Sequence, residues 1–145
     1  MILPDVNVLV YAHRKDASRH GEYERWLLGV VNGNEAFGLA DQVLSGFIRV
    51  VTHPGVFRNP SPLETALEFC ERLRAAANRV EAIPGTRHWE IFCRLCREAG
   101  ARGNLVPDAW FAALAVESGS EWITTDRDYA RFPGLRWRHP LAAPK

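Results

Sequence analysis

The chain has 145 residues, enough for one domain with its own core, so neither disulfides nor a structural metal is needed to hold it together. Its 18 Lys plus Arg nearly balance 17 Asp plus Glu, which excludes a strong overall field as the basis for recognising a polyanion and leaves only a local basic surface open. Three cysteines, an odd number, with no charged-then-apolar leader and no transmembrane stretch, predict a protein of the reducing cytoplasm, away from membranes.

Residues 2–12 form an apolar run interrupted by Asp5 and Asn7, which reads as a buried strand with Asp5 at its end. Open α/β sheets bind ligands outside the carboxyl ends of their strands, so a carboxylate there is placed for chemistry; the alternative is that Asp5 and Asn7 only shape the turn into the next helix. The spacing of Tyr23, Trp26, Leu27, Val30 and Val31 predicts a helix over 18–31, stopped by Asn32-Gly33-Asn34. A short strand follows at 35–40. Asp41 is then positioned as the N-cap of a helix in which Leu44, Phe47, Ile48 and Val51 share a face. The segment 53–62, with Pro54, Gly55, Asn59, Pro60 and Pro62, reads as a loop exposing Val56 and Phe57.

From Pro62 a further helix is expected to bury Leu63, Ala66, Leu67, Cys70 and Leu73. Residues 79–84 read as a strand, and 86–99 as a helix burying Trp89, Phe92, Leu95, Cys96 and Ala99. Cys93 and Cys96 have the spacing of a metal or redox pair, but with no second pair they are better read as small core residues one turn apart. The helix predicted over 109–118 is apolar almost all round and so central, with Asp108 at its first turn. Residues 122–125 form a strand with Asp126 and Asp128 just beyond it, and 135–139 a last short strand. Strands separated by helices throughout predict a parallel α/β fold.

In such a sheet the ends of successive parallel strands collect on one edge, so Asp5, Asp108, Asp126 and Asp128 can converge. Carboxylates in contact cannot all stay ionised without a neutralising cation, and an oxygen-only set selects Mg²⁺ or Mn²⁺ over softer metals. Taken singly, Asp108 could equally open a helix, and Asp126 and Asp128 could equally form a turn.

The wording of four segments narrows the reading: Asp5-x-Asn7 in its apolar surround, Val43-Leu44-Ser45-Gly46-Phe47-Ile48-Arg49-Val50-Val51-Thr52, Pro107-Asp108-Ala109-Trp110-Phe111, and Thr124-Thr125-Asp126-Arg127-Asp128-Tyr129. In this combination the chain resembles the PIN-domain family and, within it, the VapC-type toxins of bacterial toxin–antitoxin pairs. The resemblance implies a three-layer α/β/α fold over 1–145 with a central, mainly parallel sheet. It also implies a metal-dependent endoribonuclease acting as a toxin, with Asp5, Asp108 and Asp126 holding Mg²⁺ directly or through water and Asp128 beside them. Asn7 and Thr124 would orient ligands or water. The implied partners are an RNA substrate, a cognate antitoxin and a second copy of the chain as a homodimer.

One position departs from the family's pattern. Many relatives carry a glutamate in the middle helix just before the aromatic-x-Arg segment, where this chain has Gly46, and Asp41 or Asp128 could supply the missing acid. That departure keeps a catalytically impaired PIN-like binding module as the alternative. An unrelated α/β phosphohydrolase ranks below it, because its second acid would fall where Asn7 stands.

Overall fold

Five short strands form the centre of the computed structural model, which describes residues 1–143: β1 (Ile2–Pro4), β2 (Phe37–Leu39), β3 (Arg79–Glu81), β4 (Glu121–Ile123) and β5 (Trp137–Arg138). They are ordered β3-β2-β1-β4-β5, and every pairing is parallel, so the expected mainly parallel sheet is wholly so. Helices α1 (Val6–His13), α2 (His20–Val31), α3 (Asp41–Val51) and α4 (Leu63–Arg74) join the first three strands, with α1 packed on both α2 and α3 and α4 packed on α3. The return from β3 to β4 runs through α5 (His88–Ala99) and α6 (Leu105–Ser118), which pack on each other. Right-handed crossovers put the first group on one face of the sheet and the second on the other, giving α/β/α layers.

Because both faces are covered, the three inner strands are apolar without alternation: Leu3, Phe37, Leu39, Trp122 and Ile123 are all buried. Each such side chain contributes about 1.5–3 kcal/mol by leaving water. α6 buries Ala109, Ala112, Ala113 and Ala115, small side chains that let it lie close against its neighbours. Trp122 is sandwiched between Phe111 and Tyr129, with ring centroids 5.4 and 5.5 Å away.

Several expectations are corrected. The opening run is not one long strand: β1 stops at Pro4 and Val6 begins α1, because the Asp5 side chain caps the helix by accepting the Val6 N–H at 2.6 Å. A short helix apolar on most sides and buried between sheet and helices is hard to distinguish from a strand by pattern alone. α5 is turned from the expected face. It buries His88, Ile91 and Leu95, whereas Trp89 is 69 % exposed. His88 can be buried because its ring is hydrogen-bonded to the Trp110 carbonyl at 2.9 Å. Leu63, expected inside, is also exposed at the start of α4. Asp41 is not the N-cap of α3 but its first residue, and its carboxylate pairs with Arg74 of α4.

The strand order positions the site. From β1 the chain moves outward through β2 to β3, then crosses back to β4 on the other side of β1. The crevice outside the carboxyl ends of β1 and β4 is therefore the switch point at which doubly wound sheets bind ligands.

Candidate active site

Asp5 follows β1 and Thr124 follows β4, so the two meet at the switch point although 119 positions separate them in sequence. The Asp5 N–H donates to the Ile123 carbonyl at 2.8 Å, tying the end of one strand to the other. The Thr124 hydroxyl donates to Asp5 Oδ2 at 2.7 Å, and accepts from the Asp126 N–H at 3.0 Å and from Asn7 Nδ2 at 3.3 Å. Asn7 Nδ2 also donates to Asp5 Oδ2 at 3.2 Å, while Asn7 Oδ1 accepts the Thr125 N–H at 3.2 Å. Asn7 and Thr124 thus spend their hydrogen bonds on fixing Asp5 and the turn that carries Asp126.

α6 brings the third acid. Asp108 lies in its first turn, where a negative charge is favoured by the helix dipole, and the buried Tyr129 hydroxyl donates to Asp108 Oδ1 at 3.2 Å. Asp126 caps a 3-10 helix (Arg127–Arg131) by accepting the Asp128 N–H at 2.9 Å. Asp5, Asn7, Asp108, Asp126 and Tyr129 line one cleft of about 840 Å³.

Electrostatics mark the cleft as strained without a counter-charge. Asp5 is only 5 % exposed, and its pKa is pushed up to about 6 by burial, with the charges of Asp108 and Asp126 adding and the bonds from Thr124 and Val6 opposing. Burial likewise raises Asp108, opposed by the Tyr129 bond and reinforced by Asp126 and Asp128. The Tyr129 hydroxyl is driven upward by burial and by the same acids, so it stays a neutral donor.

The PIN domain profile matches residues 2–135. The chain belongs to the PIN-domain family. Among the relatives of this PIN domain, ribonuclease VapC43 of Mycobacterium tuberculosis is 46 % identical over 141 residues, covering 97 % of this chain and 96 % of its own. Ribonuclease VapC25 of the same species is 37 % identical over 140 residues, covering 97 % and 99 %. The fold also matches that seen in the crystal structure of VapBC2 from Rickettsia felis bound to a DNA fragment from their promoter. The TM-score there is 0.67 at 18 % identity, over 96 % of this chain and 98 % of that one.

Within the PIN frame, the residues expected from sequence fall into two groups. Asp5, Asn7, Asp108 and Asp126 face the cleft, and Thr124 is buried directly behind Asp5. Asp128 is exposed and outside the cleft lining, close enough only to act on Asp108 through its charge. Asp41 does not line the cleft either, and its pairing with Arg74 accounts for it. Gly46 does face the cleft, beside Gln42, Ser45 and Arg49 on the same helix. Its missing side chain also serves packing, since a Cβ there would lie 3.0 Å from Val6 Cγ2 of α1.

Tyr129 was visible only as the aromatic end of the Thr-x-Asp-x-Asp segment, and its bond to Asp108 could not be read from spacing. Among the described residues no three His, Cys, Asp or Glu side chains are gathered tightly enough to hold one ion directly. An all-oxygen set of loosely gathered carboxylates suits Mg²⁺, which takes one or two carboxylates and keeps several of its waters, better than a closed protein cage. Mn²⁺ fits the same donors.

Proposed function

We propose that this PIN domain is a Mg²⁺-dependent endoribonuclease and the toxin of a toxin–antitoxin pair, acting in the cytoplasm. The observation that carries the reading is the convergence of Asp5, Asp108 and Asp126 on one cleft, with Asp5 buried and its carboxylate held by the Val6 N–H, Asn7 and Thr124. Kinship with proteins named VapC ribonucleases supports RNA as the substrate and a small antitoxin as the partner.

Asp5, Asp108 and Asp126 are the groups that would hold the cation, and a cation so held supplies an acidified water and offsets charge on a phosphodiester under in-line attack. The protein's part is placement. Thr124 and Asn7 keep Asp5 in one rotamer, Tyr129 keeps Asp108 aimed at the cleft, and the Asp126 carboxylate is fixed by the turn it caps. Arg49, on the α3 wall, offers a guanidinium fork to a phosphate. Purified protein is expected to cut RNA with Mg²⁺ or Mn²⁺ and to stop in EDTA. Expressed alone it should slow bacterial growth, with relief from a small protein encoded beside it. Cleavage that persists in EDTA would remove the metal from the mechanism.

Gly46 gives the alternative, a PIN-like binding module with a weakened metal site, its specific support. The position faces the cleft, so Gly46→Glu is expected to bring a carboxylate to the acids and to tighten Mg²⁺ binding roughly ten-fold by calorimetry. Melting of the metal-free variant separates this from the helix effect, since replacing a helix-interior glycine gains about 1 kcal/mol, reduced here by crowding against Val6. Unchanged affinity would show that a side chain at 46 does not reach the cation.

A further inference from the structure

The loop 53–62 between α3 and α4 is built as a fixed wall. His53 accepts the N–H groups of Val56 and Phe57 on its carbonyl at 3.0 and 3.1 Å, and the Ser61 N–H donates to the Val51 carbonyl at 2.7 Å. Arg14, the C-cap of α1, closes the loop from behind. It is only 9 % exposed; Nε and Nη2 donate to the Asp16 carboxylate at 2.9 and 2.7 Å, and Nη1 donates to the Asn59 carbonyl at 2.8 Å and Ser61 Oγ at 3.2 Å. The His13 ring is hydrogen-bonded to the same Ser61 hydroxyl at 3.0 Å. The Arg14 guanidinium carbon sits 4.1 Å from the centre of the Phe57 ring.

Holding a loop in place would account for the hydrogen bonds but not for the choice of what the loop presents. Phe57 and its neighbour Val56, the latter 57 % exposed, line the same cleft as Asp5, Asp108 and Asp126. An apolar pair beside an acidic centre, Val56 open to water and Phe57 half-buried, is poorly placed for a phosphate or a sugar hydroxyl, and well placed for the flat face of a nucleobase. An RNA strand with one phosphate at the acids extends a flanking nucleotide along this wall. Single-stranded RNA is recognised by splaying bases onto aromatic side chains. We propose that Phe57 stacks on a base flanking the cleaved bond, and that Arg14 is the positioning residue that sets the ring for it. The inference rests on the ribonuclease reading and adds the substrate contact that the acids do not provide.

The test uses a short single-stranded oligoribonucleotide that the wild-type protein cuts, together with copies made abasic on either side of the cleaved bond. Phe57→Leu keeps apolar volume without the ring and Arg14→Lys keeps charge without the fork, so thermal melting should show both folded. Both should raise KM, Phe57→Leu by about ten-fold, with kcat little changed. Combined, they should be no worse than Phe57→Leu alone. One abasic copy should raise KM for the wild type but not for Phe57→Leu. A fall in kcat with constant KM, additive effects, or an abasic penalty that survives Phe57→Leu would each overturn the stacking role. If KM is unchanged while binding of the antitoxin weakens, the wall belongs to the protein partner instead. A wild-type protein that cuts no RNA with Mg²⁺ overturns the ribonuclease reading and this contact with it, whereas active protein with an unaltered Phe57→Leu KM overturns only the contact.

Discussion

Asp5→Asn is expected to lower Mg²⁺-dependent RNA cleavage by more than about a hundred-fold while leaving the chain folded. An asparagine fills the same space, and its Oδ1 can still accept the Val6 N–H that caps α1. The Thr124 hydroxyl and Asn7 Nδ2 both donate to Asp5 Oδ2, so an amide nitrogen there loses those two bonds, a cost that removal of the buried charge offsets. What is lost is one unit of negative charge at the point where Asp5, Asp108 and Asp126 meet. Asp108→Asn should behave alike, because its oxygen keeps the bond from Tyr129. Rates measured with Mg²⁺ and in EDTA against the same RNA check both. Near wild-type cleavage by either variant would show that its carboxylate takes no part in the chemistry.

The second large effect is on stability, and its sign is opposite to that of removing an ordinary salt-bridged acid. Asp5 has a folded pKa of about 6 against 3.8 for the free side chain, raised chiefly by burial, so the folded state holds the proton more tightly than the unfolded chain does. Its stabilising contribution is present in full below pH 4 and is lost as the pH rises through about 6. A gap of that size corresponds to about 3 kcal/mol, and the upward shift of Asp108 acts in the same direction. The metal-free wild type should therefore melt lower at pH 8 than at pH 5, where about half of that contribution remains, by roughly 5 °C if nothing else titrates. Asp5→Asn should flatten that dependence and melt above the wild type at pH 8. Adding Mg²⁺ at pH 8 should raise the wild-type melting temperature and leave the variant nearly unmoved. A variant less stable than the metal-free wild type at pH 8 would mean that Asp5 matters more as a cap than as a charge.

Much of the layout was legible because each signal was redundant. Helices and strands alternate along the chain, turn residues separate them, and the acids all fall at the starts of helices or just past strands, so both the parallel sheet and the gathering of Asp5, Asp108 and Asp126 followed. The failures have identifiable causes. α1 was hidden because a helix buried on nearly every side carries no amphipathic pattern, and its Val8 and Val10 favour strands in isolation. α5 is rotated from the face expected to bury Trp89 because the Trp110 carbonyl supplies the hydrogen bond that lets His88 be buried. Trp26 borders a separate cavity of about 600 Å³ with Met1, Ile2 and Glu121, at the opposite end of the strands from Asp5 and Phe57. The wall formed by Arg14, Asn59, Ser61 and Phe57 depends on contacts between segments more than 40 positions apart, which no local pattern encodes.

The 119 positions between Asp5 and Thr124 have a meaning for the cell that makes this chain. Asp5 is made before the turn that fixes it and carries Asp126, with β2, β3 and the intervening helices made between them. At about 5–20 residues per second, that interval is roughly 6 to 24 seconds. Through all of it the chain lacks the turn that fixes Asp5, and a chain ending before β4 lacks the residues that complete the cleft. The order of the strands thus keeps the cleft incomplete until β4 has been made.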